Sequence, residues 1–285
     1  MKRSLPASAL ATLAGLATLA GLALLAGCSG THTVPVPTAP ASSGPVSSAP
    51  ARSGPAASTS PASPAGTAPS PGSATAVVAA SLAALKAGRA VHITISTVLS
   101  NGSITFSDDA TADGGRQYIT LSAGGHVTVL YVGGVGYVQG NAQGLAGFMA
   151  VPLSQAESLA GQWIAVHPGQ ELGESSYADI VAGVTLSSVA SEIALDAPLT
   201  LTAPATVAGQ RAIGVQGRAP ASEQLPASAR DTLDVAAAGS RPLRETIVAS
   251  GGFTSTTTFS DWGESVQLSA PQHPIAPAAS PPALA

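Results

Sequence analysis

The residue whose chemistry is most clearly set by its neighbours is Cys28, at the end of Leu25-Ala26-Gly27-Cys28. It is the only cysteine, and a cysteine sulfur is a soft nucleophile. The two small residues before it allow a processing enzyme to approach the peptide bond closely. Upstream, Lys2 and Arg3 precede an uncharged run over residues 10–26. A positive start, an apolar run and small residues before a cut site are typical of an export signal.

The same four residues resemble the lipobox of bacterial lipoproteins. The resemblance implies a diacylglycerol, with palmitate as a typical acyl chain, on the Cys28 sulfur. It also implies cleavage before Cys28 and a new amine open to acylation. The chain would then be anchored by lipid at the outer face of the cell membrane. The alternative is an uncleaved membrane helix, but about 17 apolar residues is short for a hydrocarbon core of ~30 Å.

The charge balance narrows the classes of partner. Removal of Lys2 and Arg3 with the signal takes the formal net charge from −4 to −6. Such an acidic chain lacks the basic surface that nucleic acid requires. A single cysteine also forms no internal disulfide. The sequence therefore predicts a membrane as partner through the lipid, no nucleic acid, and a monomer.

Composition divides the chain into four parts. Residues 1–27 are the predicted signal peptide, and 28–75 are the lipidated cysteine followed by a tether of Pro, Ser, Ala and Thr. The tether has too few large apolar residues to offset the entropy of ordering, so we expect it to be disordered. The folded domain is predicted over 76–272, and a disordered Pro/Ala tail over 273–285.

Periodicity predicts the order of elements within the domain. A helix is expected over 76–88, where apolar residues recur at helical spacing. About five strands with short Gly-rich turns follow, which is typical of an antiparallel meander. A helical insert comes next, with helices at 152–160 and, in two pieces, at 175–195. Six strands are expected after it, including one over 199–207 and one over 266–268.

Motifs for catalysis are missing from the sequence. There is no Gly-x-Ser-x-Gly and no His-Glu-x-x-His, and no histidine pair has metal-ligand spacing. The densest acidic group is Asp108, Asp109 and Asp113, for which a solvated turn is favoured over a weak calcium site. His92 and His126 alternate with apolar residues, so we expect them to be exposed or hydrogen-bonded. The sequence predicts no enzyme activity, no metal and no cofactor beyond the acyl groups on Cys28.

Several short segments together resemble actinobacterial lipoproteins of the LppX/LprG type, which are relatives of the lipoprotein carrier LolA. They are Leu85-Lys86-Ala87-Gly88, Val132-Gly133-Gly134-Val135-Gly136-Tyr137-Val138, Gly161-Gln162-Trp163-Ile164 and Phe259-Ser260-Asp261-Trp262-Gly263. The resemblance implies an α+β fold with a single curved antiparallel sheet, a half-barrel of about 11 strands. Helices would cover its concave face, as in LolA-like proteins.

That resemblance also implies an apolar cavity for acyl chains between sheet and helices. We therefore expect binding of an acylated lipid or lipopeptide, for transport or chaperoning across the cell envelope. The alternative is an envelope interaction or signalling module whose core is filled and binds no ligand. The residues expected to line the cavity are Ile93, Ile95, Val129, Tyr131, Tyr137, Trp163, Tyr177, Ile180, Val184, Val189 and Ile193.

Overall fold

The structure is a computed structural model that describes residues 72–221, 225–226 and 228–277. The predicted signal peptide, Cys28 and nearly all of the predicted tether lie outside the described residues. The same holds for residues 278–285 of the predicted tail.

Five helices and fourteen strands make up the described part of the chain. The helices are α1 (Ala74–Lys86), α2 (Ala142–Phe148), α3 (Leu153–Leu159), α4 (Tyr177–Ile180) and α5 (Leu186–Glu192). The first eight strands are β1 (Ala90–Leu99), β2 (Gly102–Thr111), β3 (Gly115–Leu121), β4 (His126–Val132), β5 (Val135–Gly140), β6 (Ile164–Val166), β7 (Glu171–Leu172) and β8 (Ser175–Ser176). The remaining six are β9 (Asp196–Leu201), β10 (Ala205–Val207), β11 (Gln210–Arg218), β12 (Arg230–Ala236), β13 (Pro242–Val248) and β14 (Thr254–Ser260).

Twelve of the strands form one antiparallel sheet in the order β10-β11-β12-β13-β14-β1-β2-β3-β4-β5-β6. Strand β9 pairs with β11 beside β10, and β7 with β8 forms a separate hairpin. The large sheet is curved and does not close into a barrel. The expected α+β fold with a single curved antiparallel sheet of about 11 strands is therefore confirmed.

Helix starts are fixed by local side-chain caps. Ser73 caps α1 by accepting a hydrogen bond from the Ala76 amide at 3.3 Å. Asn141 caps α2 in the same way, accepting from the Gly144 amide at 2.8 Å. Each cap satisfies an amide that has no partner within the helix.

The inner face of the sheet, which the helices cover, has two different halves. On β2–β6, a cluster of buried apolar residues packs against Leu145 of α2, Ala156 and Leu159 of α3, and Ile180 of α4. On β1, β12 and β14, a second cluster packs against Leu85 of α1 and against α5. The first half is a filled core, whereas a cavity adjoins the second.

Three expectations for the ends of elements were wrong. Residues 266–268 form no strand, because β14 already pairs with β13 and β1 and leaves no free neighbour for a strand that follows it. The strand expected over 199–207 is two strands that pair with different parts of β11. The tail expected to be disordered from 273 is ordered at Ile275, which bridges to Ile164 of β6.

Candidate ligand cavity

A cavity of about 200 Å³ lies between the inner face of the sheet and a lid. Its floor comes from β1, β2, β3, β12, β13 and β14. Its lid comes from residues 182–183, from α5 with the two residues after it, and from Ala219, Pro220 and Leu225. A cavity of ~150 Å³ is enough to hold benzene, and pockets for drug-sized ligands span ~300–1,000 Å³. The space therefore fits a small molecule or one part of a larger one.

Strand register arranges the floor as three rows of inward-facing residues. The rows run across the sheet, since residues paired on neighbouring antiparallel strands lie side by side. They are Phe259, Ile93, Asp108 and Gln117; then Glu245, Thr257, Ile95 and Phe106; then Asp231, Ile247, Ser255 and Thr97. Each row mixes apolar residues with at least one carboxylic acid.

The lid is held by a capping box at the start of α5. The Thr185 hydroxyl accepts from the Ser188 amide at 3.1 Å, and the Ser188 hydroxyl accepts from the Thr185 amide at 2.9 Å. Upstream of this box, the backbone of Val184 lies directly on Gly115 of β3. A Cβ on Gly115 would overlap the Val184 carbonyl oxygen, so only glycine permits this contact.

A second glycine, Gly183, leaves room for the carboxyl group of Glu192 between the lid and the sheet. Gly183 has a φ of +72°, and a Cβ there would stand 3.3 Å from Glu192 Oε1 and 3.5 Å from Gln117 Nε2. The carboxyl group of Glu192 is therefore turned toward the floor residue Gln117. Glu192 lines the cavity, although much of the residue is exposed to water. The protein atoms packed around its carboxyl group exclude water from that group and raise its pKa to about 7.

Three further acids of the cavity are buried in the floor. Asp108 and Asp231 are each 1% exposed, and Glu245 is 8% exposed. Burial, which disfavours a charged carboxylate, raises the pKa of Asp231 to about 7. Burial also raises the pKa values of Asp108 and Glu245, with further increases from the charges of Glu192 on both and of Asp231 on Glu245.

Hydrogen bonds leave these acids incompletely satisfied. Gln117 Nε2 donates to Asp108 Oδ2 at 3.3 Å, but Asp108 Oδ1 has no partner among the described residues. Neither carboxyl oxygen of Asp231 has a well-formed hydrogen bond, although Glu245 and the Thr232 amide are near enough to lower its pKa slightly against the effect of burial. Buried polar groups normally have partners, so this site is unusual.

Basic residues of the described part pair with acids outside the cavity instead. Arg116 Nη2 lies 2.7 Å from Asp109 Oδ2, and His92 Nδ1 lies 2.8 Å from Asp109 Oδ1. Burial alone would raise the pKa of Asp109, but the hydrogen bonds from His92 and Arg116 lower it overall. Arg244 pairs with Asp234 at 2.8 Å. These three pairs use residues of the outer face.

The structure places four of the predicted cavity residues on the wall, namely Ile93, Ile95, Val189 and Ile193. Val129, Ile180 and Val184 lie in the filled core, with Tyr131 and Tyr177 packed against it. Tyr137 is half-buried on β5, and Trp163 is half-buried just before β6. The Tyr177 hydroxyl donates to the Gly134 carbonyl oxygen at 2.8 Å. The fold does not bring these seven residues to the cavity, because their strands and helices pack closely on β2–β6.

The acids of the cavity were missed by the sequence analysis. Asp108 was assigned to a solvated turn, which was wrong, because it lies within β2 and faces inward between Phe106 and Ala110. Glu245 likewise lies in phase with Ile247, which also faces the cavity. A carboxylate in phase with buried apolar residues was the signal that could have found them. His92 is hydrogen-bonded and His126 is exposed, as expected.

Within residues 72–277, apart from the gaps, no group of three or more His, Cys, Asp or Glu side chains could hold a metal ion. The same residues include no helix long and apolar enough to cross a membrane.

The structure thus defines an open, curved antiparallel sheet whose helices enclose a cavity. No protein-family model and no curated protein matches the sequence. Among solved structures, the lipoprotein LppX of Mycobacterium tuberculosis is 18% identical, with 69% of this chain and 98% of that chain covered at a TM-score of 0.46. LprF of Mycobacterium bovis is 18% identical, with 70% and 99% covered and a TM-score of 0.43. A LolA superfamily protein of Nitrosomonas europaea is 13% identical, with 69% and 96% covered and a TM-score of 0.27. The first of these, LppX, is a lipoprotein of the type that the sequence resembles.

Proposed function

We propose that this protein is a lipoprotein, held through Cys28 at the outer face of the cell membrane, that binds an acylated lipid or lipopeptide for transport or chaperoning across the envelope. The observation that carries this proposal is the cavity of about 200 Å³ beneath α5. Its apolar wall of Ile93, Ile95, Phe106 and Phe259 suits an alkyl chain, which gains free energy on leaving water. The fold similarity to lipoproteins is consistent with this role.

The volume of the cavity limits what it holds. At about 200 Å³ it takes one segment of an acyl chain or a head group, and not a whole lipid. A complete lipid therefore extends through the lid, where α5 is only seven residues long. The alternative was a module whose core is filled and binds no ligand. The packed cluster on β2–β6 fits that alternative, whereas the cavity beneath α5 favours a ligand.

We expect ligand to be lost when the cavity is filled from the middle of its floor. Thr257 of β14 faces the cavity, whereas its neighbour Thr258 faces outward beside Thr94 and Arg244. Thr257→Phe should place a ring in the cavity, and Thr258→Phe should leave the cavity unchanged. The readout is native mass spectrometry of the full chain from its host, with an organic extract analysed beside it.

The expected result is a stoichiometric extra mass in the unchanged chain and in Thr258→Phe that Thr257→Phe lacks. Circular dichroism and urea unfolding of both variants check that the fold persists. A ligand-free mass in the unchanged chain, repeated after incubation with total host lipid, would exclude the carrier function.

The anchor is tested separately at Cys28. Because the sulfur is the only site for the diacylglycerol, Cys28→Ser should abolish incorporation of radiolabelled palmitate and release the chain from membranes. Labelling of the full chain in the host, followed by fractionation, provides the measurement. Ser29→Ala, which leaves the sulfur in place, is the matched control. Undiminished labelling of Cys28→Ser would contradict the lipobox assignment.

A further inference from the structure

The cavity contains buried carboxyl oxygens that the described residues leave without a well-formed hydrogen bond. Oδ1 of Asp108 is buried without a hydrogen-bond partner among the described residues, and the oxygens of Asp231 have no well-formed hydrogen bond, although Glu245 and the Thr232 amide lie near them. Both residues are 1% exposed and line the cavity wall. A buried acceptor without a donor is costly, so its retention here calls for an explanation other than packing.

The acids come from both sides of the cavity. Asp108 lies on β2, Asp231 on β12 and Glu245 on β13, and Glu192 projects from α5 on the lid. Glu192 is close enough to Asp108 and to Glu245 to influence the titration of both. A molecule in the cavity therefore meets carboxyl groups from the floor and from the lid.

Positive charge is missing on the same walls. The described residues that line the cavity include no lysine, arginine or histidine. The described residues also include no group of three or more His, Cys, Asp or Glu side chains that could hold a metal ion. A buried carboxyl group without a counter-charge stays protonated, and a cationic ligand would supply the charge that lets it ionise.

An ammonium group matches what the cavity lacks. It carries one positive charge and three hydrogen-bond donors with no acceptor. The neighbouring isoleucine and phenylalanine side chains suit an alkyl chain attached to that head. We propose that the cavity selects an amphiphile with a protonated amine, whose ammonium group donates hydrogen bonds to carboxyl groups of the set Asp108, Glu192, Asp231 and Glu245. This inference rests on the proposed function and names the chemical class of its ligand.

Binding of such a ligand should release protons. Burial raises the pKa values of Glu192 and Asp231 to about 7, so part of these groups is protonated near neutral pH in the empty cavity. Among the described residues, the titratable groups that face the cavity are the four acids, and Asp109 acts on Asp108 from the outer face. An arriving cation favours the ionised form of each acid. Affinity for an amine should therefore rise with pH, while affinity for a neutral alcohol should not.

The test uses three probes with the same eight-carbon chain, namely octylamine, octanol and octanoate. The full chain carrying Cys28→Ser is titrated calorimetrically in detergent-free buffer at about pH 5.5 and about pH 8. We expect octylamine to bind at least about tenfold more tightly than octanol at the higher pH, a difference of ~1.4 kcal/mol. Octanoate should bind most weakly, and the octylamine enthalpy should depend on the ionisation enthalpy of the buffer.

Variants test whether the acids, and not the apolar wall, cause the preference for an amine. Glu192→Gln, on the lid, should reduce the preference for octylamine over octanol at least about threefold and leave octanol binding intact. Glu157→Gln on α3 is exposed and remote, and should change nothing. Equal or tighter binding of octanol or octanoate to the unchanged chain would overturn the amine inference while leaving a lipid cavity. Failure of all three probes to bind would contradict the proposed function as well.

Discussion

Asp231→Asn is expected to stabilise the folded protein by roughly 2–4 kcal/mol at about pH 8 and to leave its stability at about pH 4 unchanged. The pKa of Asp231 is raised by burial from 3.8 to about 7. Between these two values the folded state binds a proton that the unfolded state has lost. Stability therefore falls as pH rises through this window, and the cost stays in place above it. Asparagine carries no charge and avoids that cost.

Urea unfolding of the full chain carrying Cys28→Ser, at the two pH values, measures this effect. Glu157→Gln removes an exposed carboxylate and should shift stability by less than ~0.5 kcal/mol at either pH. If Asp231→Asn raised the unfolding free energy equally at both pH values, the gain would not come from ionisation of Asp231, and the prediction would be wrong. A loss at about pH 8 would show that Asp231 has a favourable partner in the folded state.

Phe106→Ala should cost about 3–5 kcal/mol of unfolding free energy, as is typical for a buried phenylalanine. Phe106 is 8% exposed, and its ring lies edge-on to Phe148 of α2 with 5.9 Å between ring centroids. The same side chain lines the cavity and belongs to the filled core. Its removal should therefore also enlarge the cavity toward β3 and favour longer alkyl chains.

Two measurements check this prediction. Urea unfolding gives the loss of stability, and titration with alcohols of increasing length gives the change in preference. Tyr118→Ala is the matched control, because Tyr118 is 43% exposed on the outer face of β3 and should cost less than ~1 kcal/mol. A Phe106→Ala variant that is destabilised but keeps the same length preference would show that the wall collapses into the space.

Period-2 alternation carried most of the fold prediction. Residues such as Val91, Ile93 and Ile95 alternate strictly with polar ones, and the Asn101-Gly102 turn fixes their partner strand. Strand ends were harder to predict, because they depend on which neighbour is free. Residues 266–268 alternate well enough, but β14, the strand before them, already has β13 and β1 as neighbours. Helix α2 was missed because its sequence contains two glycines and is too short to show a period.

The site was predicted less well than the fold. Alternation shows that Ile93 faces inward, but it does not show whether a helix packs against it or stands off. That distance is set by α5 and by glycines such as Gly183, whose effect appears only in three dimensions. The acids were overlooked since a carboxylate was assumed to face water. Asp108 and Glu245 instead occupy strand positions whose side chains point into the fold, and both are buried.

The contact of Ile275 with β6 has a consequence for how copies of this chain meet. The Ile275 amide donates to the Trp163 carbonyl oxygen at 2.8 Å, and its own carbonyl oxygen accepts from the Ala165 amide at 2.8 Å. These bonds occupy groups at one end of the open sheet that a second chain would otherwise use. At the opposite end, Pro198 of β9 offers no amide hydrogen. These features oppose strand-to-strand polymerisation at β6 and at β9, and such polymerisation is the usual hazard of an unclosed sheet at high local concentration.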